Sequence, residues 1–222
     1  MTLLSSSQEA NEAFEKFMRH NIPTLRSINL YIESGDKCSV LDALIPRSSK
    51  RFIVALNLTS VKLEGQATLV HKAGKATAAG LWPALDELNV SNCRANTGHF
   101  ENIAGAIRSG RAPNLRVLNW NAQSSIRERR ESRRVDAIIL SALASGQCPF
   151  IERLSFTDNR FCPEHDIDML GDALRACSTL RVLEMYCSRS QGHELETLTS
   201  VFEAGHVPRL ARIFARATKS YE

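Results

Sequence analysis

Side chains able to act as metal ligands, nucleophiles or phosphate binders are few in this sequence, and their spacing is loose. Cys38, Cys93, Cys148, Cys162, Cys177 and Cys187 are scattered, with no C-x-x-C pair. Cys162-Pro-Glu-His165 is one tight pair, with Cys177, Cys187 and His193 downstream. Zinc needs four converging ligands, and no second tight pair completes a set, so no metal is expected. Lys72-Ala-Gly-Lys-Ala-Thr77 carries part of a phosphate-loop pattern. A working loop needs Gly at the place of Leu69 and Ser or Thr at the place of Ala76. G-x-S-x-G, H-E-x-x-H and G-x-G-x-x-G are absent. The expectation is a protein that is not an enzyme, with no catalytic residue and no cofactor.

A second group is cationic. Within Ile126–Val135, Arg127, Arg129, Arg130, Arg133 and Arg134 stand against Glu128 and Glu131, five positive charges against two negative. Guanidinium groups suit phosphate oxygens or an acidic protein face. The interleaved glutamates and the lack of aromatic residues for base stacking weaken the RNA reading. A solvated helix start is the plain alternative.

The whole chain sets the limits for these groups. It has 222 residues, a net charge of +4, 43% hydrophobic and 23% charged residues, the balance of an ordinary globular protein. That basicity is mild and neither requires nor excludes an acidic partner. The dispersed cysteines fit free thiols in a reducing, cytoplasmic compartment better than a disulfide framework. The N-terminus lacks a basic region followed by an apolar run, so no signal peptide is expected. No stretch is apolar for long enough to span a membrane, and no membrane partner is expected.

The elements that hold these side chains come from a repeat. Apolar-x-x-apolar-x-apolar occurs at Leu25/Ile28/Leu30, Ile53/Leu56/Leu58, Leu85/Leu88/Val90 and Leu115/Leu118/Trp120. It continues at Ile151/Leu154/Phe156, Leu180/Leu183/Met185 and, most weakly, Leu210/Ile213/Ala215. Successive starts are 28, 32, 30, 36, 29 and 30 residues apart. Gly-x-x-Pro precedes the units starting at Leu85, Leu115, Ile151 and Leu210. Gly permits the left-handed turn that ends a helix, and Pro then prevents its resumption, so the next segment is extended. Between these segments, Phe100/Ile103/Ala104/Ile107, Val135/Ile138/Ile139/Leu143, Met169/Leu170/Ala173/Leu174 and Leu195/Leu198/Val201/Phe202 recur at helical spacing. Val40/Leu41/Leu44/Ile45 is a shorter set, and 66–79 is Ala-rich with a thin apolar face.

Strand and helix thus alternate about seven times over Pro23–Arg216. The pattern resembles leucine-rich repeat proteins, most closely the ribonuclease-inhibitor-like subtype with its long, helix-containing repeats. The family's Asn/Cys slot, three residues past the last apolar position, holds Cys93 and Asn159, while Glu33, Val61, Gln123, Ser188 and Thr218 depart from it. The resemblance implies an α/β solenoid, or horseshoe, with a parallel concave sheet and convex helices. Residues 23–222 form this solenoid, and 1–22 contribute a capping helix over Gln8–Arg19, in a single domain. Trp120, Phe100, Phe156, Met169 and Met185 are assigned to the core.

On such a sheet the residue between the paired apolar positions faces outward. Those residues are Asn29, Asn57, Asn89, Asn119, Ser155, Glu184 and Phe214, flanked by Tyr31, Ser91, Asn121, Thr157 and Tyr186. Two readings stand: a polar face that binds a protein partner, or a solvated ladder whose amides bond one another. The expected function is a non-catalytic interaction scaffold, a subunit or adaptor in a larger assembly. The alternative is a ribonucleoprotein component touching RNA through Arg127–Arg134. No helix is expected after Leu210–Ala215, so a C-terminal sheet edge able to dock on another chain is expected.

Overall fold

A computed structural model describes residues 2–4, 27–31, 60–64, 67–93, 95–121, 129–156, 163–187 and 193–217. The strands are β1 (Thr2–Leu4), β2 (Ser27–Tyr31), β3 (Ser60–Glu64), β4 (Glu87–Asn89), β5 (Val117–Asn119), β6 (Arg153–Phe156), β7 (Val182–Cys187) and β8 (Arg212–Ala217). Helices α1 (Ala67–Ala78), α2 (Thr97–Arg108), α3 (Arg129–Leu143), α4 (Pro163–Ala176) and α5 (His193–Glu203) separate the strands from β3 onward. All eight strands lie in one sheet in chain order, and every neighbouring pair is parallel. The fold is α/β, with five strand–helix units among the described residues where the sequence led us to expect about seven.

Four of the five described helices, α1, α2, α3 and α5, end at a glycine, and α4 ends at Ala176 without one. Gly80, Gly110, Gly146 and Gly205 have φ between 67° and 71°. Around Gly110, its N–H donates to Ile107 C=O at 3.0 Å, and the Arg111 N–H reaches back to Ala106 C=O at 2.8 Å. That pair of bonds satisfies carbonyls the helix end would leave open. Helix α2 starts with equal economy. The Asn96 side chain accepts from the His99 N–H, and the His99 ring accepts from the Asn96 N–H.

The core lies between sheet and helices. Leu88, Leu118, Leu154 and Leu183 form one buried rung, under Phe100, Ile103, Ile139, Leu170 and Leu174. Trp120, Phe156 and Met185 are buried as expected. Met169 is not: it is 37% exposed, because the buried stripe of α4 runs through Ile167, Leu170, Ala173 and Leu174. Lys72–Thr77 lies inside α1, with Gly74 packed against Asn102 and Ile103 of α2. Its glycine serves helix packing.

The N-terminal side differs from expectation in two ways. The strand between β2 and β4 is Ser60–Glu64, and the expected strand at 53–58 lies outside the described residues. Leu58-x-x-Val61-x-Leu63 matches the repeat phrase as well as Ile53-x-x-Leu56-x-Leu58 does, and the two share Leu58. The outer edge of β2 is paired with β1, a strand the sequence did not signal. The expected cap helix Gln8–Arg19 and the Val40–Ile45 set lie outside the described residues. No helix among the described residues is long and apolar enough to cross a membrane.

Candidate interaction face

Parallel register puts the residues expected to face outward in one ladder. Thr2 pairs with Asn29, Asn29 with Lys62, Lys62 with Asn89, and Asn89 with Asn119. Asn119 then pairs with Ser155, Ser155 with Glu184, and Glu184 with Phe214. Asn57 is outside the described residues, and Lys62 holds the place assigned to it. The overlapping phrase ending at Leu63 was the signal for it.

In the middle strands the polar groups tie the backbone. The Asn89 Oδ1 accepts the Ser91 N–H at 3.1 Å, and the Asn119 Oδ1 accepts the Asn121 N–H at 3.1 Å. The Ser91 hydroxyl also donates to Asn119 Oδ1 at 2.5 Å. The Asn121 carboxamide meets the Ser155 hydroxyl at 3.0 Å from Nδ2 and 3.1 Å from Oδ1. Asn89, Ser91, Asn119, Asn121 and Ser155 thus form a stitched strip over three strands. Ser155 is fully buried, so its hydroxyl serves the strip. The Nδ2 amides of Asn89 and Asn119 have no acceptor among the described residues. They are the donors the strip still presents.

Beside this strip runs a charge ladder that sequence reasoning missed. Asp86, Arg116, Glu152 and Arg181 occupy one place at successive strand starts. The Arg116 guanidinium stands 3.3 Å from Asp86 and 3.8 Å from Glu152. Arg153 reaches Glu184 at 2.7 Å, so this expected partner contact already has an internal cation. Such half-exposed pairs are worth at most about 1 kcal/mol each. Their weight lies in keeping the strand register.

Asn29 and Tyr31 are on β2, and Tyr186 is on β7 opposite Arg216. Arg127 lies outside the described residues. Arg129, Arg130, Arg133 and Arg134 are not in a loop: they occupy the first turns of α3. No group of three or more His, Cys, Asp or Glu among the described residues is placed to hold a metal ion. Burial pushes the Cys148 thiol up to about 11 and the Cys177 thiol up to about 12, so both are protonated at neutral pH.

No protein-family model matches the chain, and no curated protein matches it.

Proposed function

We propose that the chain is a leucine-rich repeat solenoid of the ribonuclease-inhibitor-like kind, acting as a non-catalytic scaffold whose strand face binds a protein partner. The observation that carries this reading is the register ladder, with polar residues on seven of eight strands and, at its centre, Asn89 and Asn119 amide donors that meet no acceptor among the described residues. The seven strands that carry its polar residues, β1 to β7, span about 29 Å at ~4.8 Å spacing. Carboxamide N–H groups held in place by their own oxygens are preorganised donors, which lowers the ordering cost of binding. Peptide carbonyls are the complementary acceptors. The scaffold belongs in a reducing intracellular compartment, where buried thiols such as Cys93, Cys148 and Cys177 stay free. Protonated, buried thiols are poor nucleophiles, which supports the non-catalytic reading.

The test begins with affinity purification of the chain from its native cells, with and without ribonuclease, and identification of the protein retained. The double variant Asn89→Asp, Asn119→Asp keeps the Oδ acceptors that Ser91 and Asn121 use and removes both Nδ2 donors. Loss of the retained protein, with the circular dichroism spectrum kept and the melting temperature lowered only slightly by the two facing carboxylates, is the expected result. Retention by the double variant refutes the face. Partners that leave with ribonuclease and depend on Arg129 and Arg130 favour the RNA reading instead.

A further inference from the structure

The outer edge of β8 repeats the features that each inner strand satisfies on its neighbour. The Asp86 carbonyl accepts the N–H groups of Arg116 and Val117 at 2.8 and 2.9 Å. The carbonyls of Arg116, Glu152 and Arg181 each take the same pair of donors from the following strand. In the other direction, the N–H groups of Val90 and Trp120 donate to Asn119 and Ser155 carbonyls at 2.8 and 3.0 Å. On β8 the equivalent groups are the Ala211 carbonyl and the Ala215 N–H, and no described strand follows.

The side chains repeat the same incompleteness. In the rung Leu88–Leu118–Leu154–Leu183, no residue is more than 1% exposed, whereas Ile213 in that rung is 46% exposed. Phe214 beside it is 52% exposed. Inner arginines face acids on the next strand, Arg116 with Glu152 and Arg153 with Glu184. Arg209 and Arg212 are exposed and have no ion-pair partner among the described residues. Among the described residues the edge therefore combines backbone groups without a partner strand, an apolar centre and positive charge with no acid beside it.

We propose that β8 is a docking edge that takes, as a further parallel strand, an extended segment of a partner protein reading apolar–acidic–apolar opposite Ile213, Phe214 and Ala215. The pattern comes from β7. Opposite Leu154, Ser155 and Phe156, β7 places Leu183, Glu184 and Met185, and Glu184 answers Arg153. Arg212 holds Arg153's place two strands on. An acid opposite Phe214 reaches Arg212 as Glu184 reaches Arg153, and flanking apolar residues cover Ile213 and Ala215. Strand addition takes its affinity from main-chain bonds and its specificity from alternate side chains. The edge is separate from the strand face proposed above and stands whether or not that face binds.

The probe is a fluorescein-labelled peptide with the sequence of Leu180–Tyr186, titrated with the full chain and read by anisotropy. A second peptide has lysine in place of its glutamate. We expect the glutamate peptide to bind at least roughly fivefold more tightly, with the margin shrinking as salt rises. Arg212→Glu, an exposed substitution, reverses the preference in favour of the lysine peptide. Ala215→Pro removes an outward N–H, which edge strands tolerate, and abolishes binding of both peptides. No saturable binding, or equal binding of both peptides to the chain and to Arg212→Glu, overturns the proposal. Concentration-dependent dimerisation that Ala215→Pro blocks also overturns it, because the edge then takes a second copy.

Discussion

Trp120 brings a polar atom into an apolar layer and finds it a partner there. Its indole N–H donates to Asp136 Oδ1 at 2.7 Å, and Asp136 is fully buried on α3. The same indole stacks on Phe156, with centroids 5.0 Å apart and planes 12° from parallel. One side chain thus joins β5 to the next helix and the next strand. Trp120→Phe keeps an aromatic ring and deletes the donor, leaving a buried carboxylate short of a hydrogen bond. We expect a loss of about 1–3 kcal/mol by urea denaturation, and a smaller loss for Asp136→Asn, which keeps an acceptor. The sequence placed Trp120 in the core through its repeat phrase. It could not show Asp136, 16 residues away across the longest repeat spacing. Ser155 was misjudged for the same reason: a slot in a pattern says which face a residue leaves by, and its neighbours decide whether water reaches it. Cys148 and Cys177 occupy equivalent places, each three residues before the first apolar position of its unit. Burial raises both thiols from 9.0, to about 11 and about 12, and for Cys177 the neighbouring Cys148 charge adds to it. The folded state therefore holds protons that the unfolded chain releases above pH 9. Their contribution to stability is complete below pH 9 and is lost as pH rises from 9 toward 12. Urea midpoints measured from pH 7 to 11 test this: Cys148→Ala and Cys177→Ala flatten the alkaline decline.

Two helical glycines on neighbouring elements carry opposite predictions. A Cβ at Gly74 on α1 meets the Asn102 Cβ at 2.8 Å and the Ile103 backbone nitrogen at 3.0 Å. A Cβ at Gly105 on α2 meets nothing within 4 Å. Alanine gains about 0.5–1 kcal/mol over glycine inside a helix, so Gly105→Ala stabilises by that amount. At Gly74 overpacking of about 1–3 kcal/mol outweighs the gain, because the backbone of α2 cannot yield as a side-chain tip can. Gly74→Ala destabilises, and thermal melts of the two variants give opposite signs. Elements were the most legible level of this chain. The Gly-x-x-Pro phrase located four helix ends, and each of those glycines has positive φ. Before β3 no such phrase separates two overlapping apolar matches, and the described strand formed on the later one. β1 lies outside every match to the repeat phrase, so nothing in the sequence signalled it.

At the scale of the molecule, the described helices pack on their chain neighbours, α1 on α2 through α4 on α5, and the strands follow the same order. Stability in such an array is close to a sum of local units and nearest-neighbour interfaces. The same substitution in one rung therefore has a cost set by its distance from the end. Leu154 lies between Leu118 and Leu183, all at 1% exposure or less, and its replacement leaves a cavity closed on both sides. Ile213 has Leu183 on one side and no described strand on the other, and it is 46% exposed. We expect Leu154→Ala to cost about 2–5 kcal/mol, and Ile213→Ala about 1 kcal/mol or less. Hydrogen exchange follows the same slope. Amides of β5 and β6 exchange only through the largest openings, while β8, with one paired edge, opens by local fraying. If the peptide of Leu180–Tyr186 occupies the open edge, protection of the Ala215 amide rises and that of β5 does not change. A rise spread evenly over all strands instead signals global stabilisation, and the sheet then behaves as one cooperative block, not as a stack of neighbours.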